Sequence, residues 1–390
     1  MLLMAMESMQ VYLHIPFCAR KCAYCDFASY PGRESQMAAY VRCVEKEIEL
    51  RAAQYGPVPI STVYIGGGTP SLLPPELLQE ALDCLFARFP LLPGAEITCE
   101  ANPGTLTIEF LRMLRAKGVN RLSLGAQAKQ EQLLCTLGRI HDWGQVEASV
   151  KLAREAGFNN LNIDLMFGLP GQSAADWRES LGAALALSPQ HLSLYGLILE
   201  EGTSLHETVS QGMLSLPDDA AERAMYQAAR RMTRDAGMRQ YEISNFALPG
   251  YGCRHNLGYW QGAYYLGLGA AAHSRMACYP NGGAYARFGN TPSLDEYLQK
   301  MGKDVFPLAE YREIPPREAE FETLMLGLRV LRGVSDSDFK KRHGRTMQEA
   351  FGEKIGPLME KGLLTYRSGH LKLTRRGMDV QNAVLVDLMD

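Results

Sequence analysis

Six short β-rich runs, separated by stretches of helical period, occupy residues 11 to 196, and that rhythm restricts the fold more than any other feature. The runs are VYLHI (11–15), TVYIG (62–66), EITCE (96–100), RLSLG (121–125), LNIDLMFG (161–168) and HLSLYG (191–196). Between them MAAYVRCVEKEIELRAA (37–53), PELLQEALDCLFARF (75–89) and QVEASVKLAREAG (145–157) place apolar residues at helical spacing, the last stopping on Gly157. Strand–helix alternation predicts a parallel sheet covered by helices. No Gly-x-Gly-x-x-Gly follows the first run. The expected fold is therefore α/β, a partial parallel (β/α)6 TIM-like barrel, in which chemistry gathers on the loops after the strands' carboxyl ends.

After about residue 200 the alternation loosens. A helix over 218–236 leads into YEISN (241–245) and a Gly- and Tyr-rich region to about residue 290. Pro307, Pro315 and Pro316 mark a linker. Helical runs over 317–331, 335–342 and 346–361 then precede LLTYRSGHLKLT (363–374), whose halves turn about Ser368 and Gly369 as a hairpin. The expected division is a barrel unit over 1–300, carrying the cofactor sites, and a small winged-helix-like α+β domain over 314–390.

The stretch HIPFCARKCAYCDF (14–27) sets Cys18, Cys22 and Cys25 on the loop after the first strand run. The nine cysteines are an odd count. The opening MLLMAM is short, lacks a basic flank and is broken by Glu7, so a cytoplasmic protein with thiolate ligands is expected rather than a disulfide framework. Cysteines 43, 84, 99, 135, 253 and 278 read as small apolar filler. Structural zinc wants four protein ligands and usually a second cysteine pair, which is missing here; His14 reads as a packed strand residue. A cubane [4Fe–4S] cluster fits better, because three thiolates leave one of its four irons open.

CxxxCxxC at this place resembles the signature of the radical SAM superfamily. There the open iron chelates S-adenosylmethionine (SAM), and an electron from the cluster cleaves the sulfonium to a 5′-deoxyadenosyl radical. The resemblance implies SAM contacts from Tyr12 and Tyr24 beside the cysteines and from Gly67, Gly68 and Thr69 in GGGTPS (66–71). It further implies Glu100 in CEANP on the ribose, with Gln127 in GAQ, Arg139 in LGRIH and Asp164 in IDLMFGLPGQ nearby.

Over almost the whole chain the sequence resembles the oxygen-independent coproporphyrinogen III oxidase-like family, within which two branches differ. Dehydrogenases carry a further cysteine two positions after the third; here that position is Phe27, as in the HemW-type heme chaperones. Residues 241–260, YEISNFALPGYGCRHNLGYW, look like the chaperone signature, with the heme-binding motif HNxxYW as His255, Asn256, Tyr259 and Trp260. Imidazole is a common ligand of heme iron, and flat aromatic side chains suit a macrocycle. From the residues alone, His255 reads first as a loop cap or cross-link, with Tyr259 and Trp260 packed into the barrel mouth; the resemblance reverses that order. Cys253 reads as a buried thiol or a second soft ligand, and Gly267, Gly269 and His273 continue the resemblance.

The resemblance implies a chaperone that carries heme as cargo to acceptor proteins, respiratory membrane enzymes among the candidates. The alternative is a dehydrogenase that decarboxylates coproporphyrinogen III. The formal charge of −3 gives no pull toward nucleic acid, and the basic runs KKRHGR (340–345) and TRR (374–376) read as solvated surface. A homodimer would leave no readable mark.

Overall fold

The computed structural model describes residues 6–277 and 284–389. The first five residues, with Met1 and Met4, and Cys278 lie outside the described residues.

Strands β1 (Met9–Ile15), β2 (Ile60–Gly67), β3 (Leu91–Ala101), β4 (Arg121–Gln127), β5 (Leu161–Phe167) and β6 (His191–Gly196) lie side by side in chain order. Every neighbouring pair among them is parallel. The connections are α1 (Met37–Tyr55), α2 (Pro75–Arg88), α3 (Ile108–Ala116), the pair α4 (Glu131–Thr136) and α5 (Trp143–Glu155), and α6 (Ala174–Ala186). Helix starts follow local chemistry: Asp142 and Gln145 form a capping box on α5, and Ser173 and Asp176 form one on α6.

The strands alternate with period two. Val11, Leu13, Ile15, Val63, Ile65, Leu122, Leu124, Ile163, Leu165, Leu192 and Leu194 enter the main core. Their alternates, among them Gln10, Tyr12, Thr62, Tyr64, Glu96, Glu100, Ser123, Asp164 and Ser193, are polar. Polar side chains from β2 to β6 meet at one pocket beside the loop that follows β1, so the parallel sheet curves around a polar interior. All seven residues of β4 are buried, as befits a strand covered on both faces.

The sheet continues at both edges. After α7 (Ser204–Ser210) and α8 (Asp219–Asp235), strands β7 (Arg239–Gln240) and β8 (Asn245–Ala247) extend it antiparallel beyond β6. Helix α9 (Arg254–Trp260) leads to β9 (Tyr265–Leu268), which pairs parallel with β1. Strands β10 (His273–Met276), β11 (Tyr285–Asn290) and, after α10 (Leu294–Gly302), β12 (Leu308–Ile314) then run antiparallel. The sequence reading leaves the Gly- and Tyr-rich region without strands and takes the stretch marked by Pro307, Pro315 and Pro316 as a linker; the structure builds β9 to β11 in the first and β12 in the second, the other flank of the sheet.

A buried carboxylate joins that flank to α1. Glu47 accepts from the Gly269 amide at 2.9 Å, the Tyr297 hydroxyl at 2.8 Å and the Asn290 amide at 2.7 Å, with Arg51 at 3.7 Å. Gly269 is required here: its φ is +96°, and a Cβ would lie 2.2 Å from the Tyr40 hydroxyl oxygen.

The remaining chain builds a second core around Leu324, Phe339, Ile355, Leu358 and Leu371. It comprises α11 (Pro316–Gly327), β13 (Val334–Ser335), α12 (Asp336–His343), α13 (Met347–Glu360), β14 (Leu364–Arg367), β15 (His370–Leu373), α14 (Arg375–Asp379) and α15 (Gln381–Met389). The hairpin forms where the sequence puts it, and β13 adds a third strand. Two arginines of KKRHGR are used inside the molecule: Arg345 pairs with buried Glu320, and Arg342 donates to the Gln261 carbonyl at 2.8 Å. Among the described residues, no helix is long and apolar enough to cross a membrane.

Candidate functional site: a thiol-lined pocket and an aromatic cleft

The loop after β1 carries its cysteines on a backbone held from several directions. Phe17 bridges to Tyr30, the Ala23 amide donates to the Leu137 carbonyl at 2.9 Å, and the Leu205 amide donates to the Ala23 carbonyl at 2.9 Å. The glycines after β2 fix its base. The Gly68 amide donates to the Ile15 carbonyl at 2.8 Å and the Thr69 amide to the Phe17 carbonyl at 2.7 Å. A Cβ on Gly68 would sit 2.6 Å from the Phe17 carbonyl oxygen; one on Gly67, whose φ is +109°, would sit 2.5 Å from the His14 ring. The close approach that the glycines permit is thus to the cysteine loop's own base and to His14.

Cys18, Cys22 and Cys25 are half-buried and line a pocket of about 360 Å³. Tyr24, Gly67, Gly68, Glu100, Gln127, Arg139 and Asp164 line the same pocket, so the structure gathers these expected residues at one site. Thr69 lies behind it, in a smaller crevice, and Tyr12 faces a neighbouring cleft.

Two sulfurs already accept hydrogen bonds: Thr69 donates to Cys18 Sγ at 3.5 Å and Arg139 to Cys22 Sγ at 3.6 Å. Burial pushes the Cys25 thiol up. Among the described residues, no three His, Cys, Asp or Glu side chains converge as ligands of a single metal ion. Three thiols spread around a pocket suit the separated corners of a cluster, and the donor set fits the iron–sulfur group that the resemblance implies.

Sequence reasoning passed over Asn102, which ties the site together. Its side-chain oxygen accepts from Arg139 at 2.7 Å, and its amide donates to Thr69 Oγ1 at 2.8 Å, completing a chain from Arg139 to Cys18. The only signal was its place in CEANP, two residues after Glu100. Gln127 has a φ of +67° where β4 slips register against β5, a strained backbone of the kind found at ligand sites.

Two carboxyls face the interior. Glu100 accepts from the Tyr64 hydroxyl at 2.7 Å and the Gly67 amide at 3.2 Å, and burial pushes it up to about 7. Asp164 accepts from Asn162 at 2.7 Å and Ser123 at 3.2 Å, and burial raises it as well.

The HNxxYW segment is divided by the fold. Glu96 on β3 caps the start of α9, accepting from the His255 amide at 3.0 Å, the Arg254 amide at 3.1 Å and the Cys253 thiol at 3.5 Å. Burial pushes the Cys253 thiol up to about 12, which keeps it protonated. His255 is 1% exposed; its Nδ1 shares a hydrogen bond with Thr62 at 2.7 Å and its Nε2 one with Tyr259 at 2.9 Å. Burial, and then the nearby Arg121 guanidinium, lower it to about 3. Asn256 is half-buried on the same helix. Tyr259 and Trp260 instead line a cleft of about 720 Å³, together with Tyr12, His14, Phe27 and His273. Phe27, 60% exposed, lines both this cleft and the thiol pocket.

Residues 12–184 match the radical SAM superfamily, and residues 314–380 match the HemN C-terminal domain. The chain is 37% identical over 374 residues to the heme chaperone HemW of Bacillus subtilis, covering 96% of this chain and 97% of that protein. It is 34% identical over 378 residues to the heme chaperone HemW of Escherichia coli, covering 97% of each. Among solved structures, the coproporphyrinogen III oxidase HemN of Escherichia coli shares the fold with a TM-score of 0.84 at 22% identity, covering 98% of this chain and 90% of that one.

Proposed function

We propose, for a chain that belongs to the radical SAM superfamily and within it to the HemW family, that it binds heme and delivers it to acceptor proteins while holding a [4Fe–4S] cluster and SAM. The observation that carries this reading is the adjacency of two cavities across one side chain. Phe27 stands between the pocket of the three thiols and the aromatic cleft.

Cys18, Cys22 and Cys25 would hold the cluster, and Glu100, Gln127, Arg139 and Asp164 would surround SAM. Bound there, the cluster supplies an electron and a vacant iron for the amino acid end of SAM. The chain's own residues do the positioning. Asn102 fixes the Arg139 guanidinium against Cys22, and Thr69 donates to Cys18, so two of the three sulfurs are held by hydrogen bonds. Glu100 turns one carboxylate edge toward Tyr64 and Gly67 and lines the pocket where ribose hydroxyls need an acceptor.

The rival reading, oxidative decarboxylation of coproporphyrinogen III, draws on the fold shared with HemN. It is weakened by Phe27, which puts a ring with no ligating or redox-active atom where the dehydrogenases carry a thiol.

Anaerobic reconstitution followed by titration tests the proposal. The protein should take up about four irons and bind about one heme, and with SAM and a reductant it should leave coproporphyrinogen III unchanged. Formation of protoporphyrinogen, or no tight heme binding, overturns it. Replacing Cys22 with Ala should abolish iron uptake.

A further inference from the structure

The heme reading leaves open where the macrocycle sits and what holds its iron, and the expected ligand, His255, is poorly placed. Both of its ring nitrogens are engaged, and it does not line the cleft. His14 does line the cleft, yet it too is spent: Nδ1 meets the Tyr12 hydroxyl at 3.0 Å and Nε2 the Ala28 carbonyl at 2.8 Å. The third histidine, His273, stands at the rim with its side chain 63% exposed. Among the described residues its Nε2 meets the exposed Glu310 carboxylate, at 3.2 Å.

The cleft also holds an unanswered positive charge. Arg275 is 6% exposed; among the described residues it makes no ion pair and its Nε has no hydrogen-bond partner. Its guanidinium lies 3.8 Å from the centre of the Tyr285 ring. A buried cation without a carboxylate is costly unless something anionic completes it. Arg287, on the paired position of β11, is more exposed and already meets Glu322 at 3.1 Å and Glu318 at 3.6 Å. Glu322 itself is taken up by Arg287 and the Tyr285 hydroxyl. The other acid lining the cleft, Asp26, is exposed on the cysteine loop.

Apolar surface completes the site. Tyr259, Trp260, Tyr265 and Phe27 line the cleft, together with Met325 and Leu326 of α11. A flat apolar plate with carboxylates at one edge and a metal at its centre matches these features.

We propose that this cleft seats the porphyrin of heme, with a propionate anchored on Arg275, Arg287 as a secondary contact, and His273, not His255, ligating the iron. The inference rests on the heme-carrier reading and deepens it. His255 then keeps Tyr259 in place through its hydrogen bond, a positioning residue.

The test titrates heme, iron-free protoporphyrin and protoporphyrin dimethyl ester into the reconstituted full chain. Arg275→Ala should weaken heme about tenfold, as loss of a charge-assisted pair does, and Arg275→Lys should recover part of that loss. The ester, lacking carboxylates, should bind wild type no more tightly than iron-free protoporphyrin binds Arg275→Ala. His273→Ala should change the Soret band and remove the imidazole signature of the ferric EPR spectrum, with the affinity for iron-free porphyrin unchanged. His255→Gln should keep the wild-type iron spectrum. Should Arg275→Ala fail to fold, Arg287→Ala and the ester on wild type carry the comparison. Tight heme binding that is indifferent to the arginines and to esterification, or an iron spectrum that survives His273→Ala, overturns this site and spares the carrier reading. Absence of heme binding by wild type overturns the carrier reading itself.

Discussion

Burial brings the Glu100 carboxyl up to about 7, into the range where modest pH changes decide its charge. Its folded value lies above the ordinary 4.5, so the folded chain holds the proton more tightly than the unfolded one. Stability from this group is therefore greatest below the unfolded value and falls as pH rises through the window from 4.5 to about 7. In the ligand-free protein Glu100→Gln should raise the melting temperature near pH 8, where screening by pocket water leaves about 1 kcal/mol of penalty to remove. Near pH 5 the two proteins should melt together, a comparison calorimetry makes directly. Lower melting of the variant near pH 8 would show that the ionised carboxylate is not strained. At this scale the meeting of the three cysteines at one pocket was legible, because residue type and spacing put them on a single loop. Asn102 was not, since its importance comes from Arg139 and Thr69, which only the fold brings to it. The HNxxYW motif was legible as a motif. Which way its histidine points depends on Glu96 capping α9 from a strand far away in sequence, and no local pattern encodes that.

Among the elements, the six parallel strands could be read because two signals agree: β-rich runs bounded by helical stretches, and alternation between helix-facing and interior positions. RLSLG and HLSLYG display that alternation openly. Strands β9 to β12 escaped because glycine, tyrosine and short antiparallel pairing blur the period-two pattern. The segment from Gly66 to Thr69 shows how a strand tip can hold a neighbouring loop. It clamps the cysteine loop through two amide hydrogen bonds and leaves no room for a Cβ. Gly68→Ala should therefore cost about 1–3 kcal/mol in urea unfolding, because the atoms it meets are backbone and cannot swing away. The same variant should bind fewer irons per chain. Unchanged stability and iron content would mean that this clamp does not govern the loop.

Across the whole molecule, the two cavities share one ring, and the cleft is lined in part by α11, the first helix of the second core. Helix α11 thereby helps line the proposed cargo site, whose rim at His273 is exposed. That arrangement underlies the central claim that this chain carries heme rather than transforming a porphyrinogen. The most direct test loads the reconstituted protein with isotopically labelled heme and mixes it, without oxygen, with membranes whose cytochromes have been stripped of heme. The account predicts that label leaves the protein, appears in the cytochromes and restores their respiratory activity. Label that stays on the chain, or that reaches the cytochromes no faster than free heme does, would contradict it.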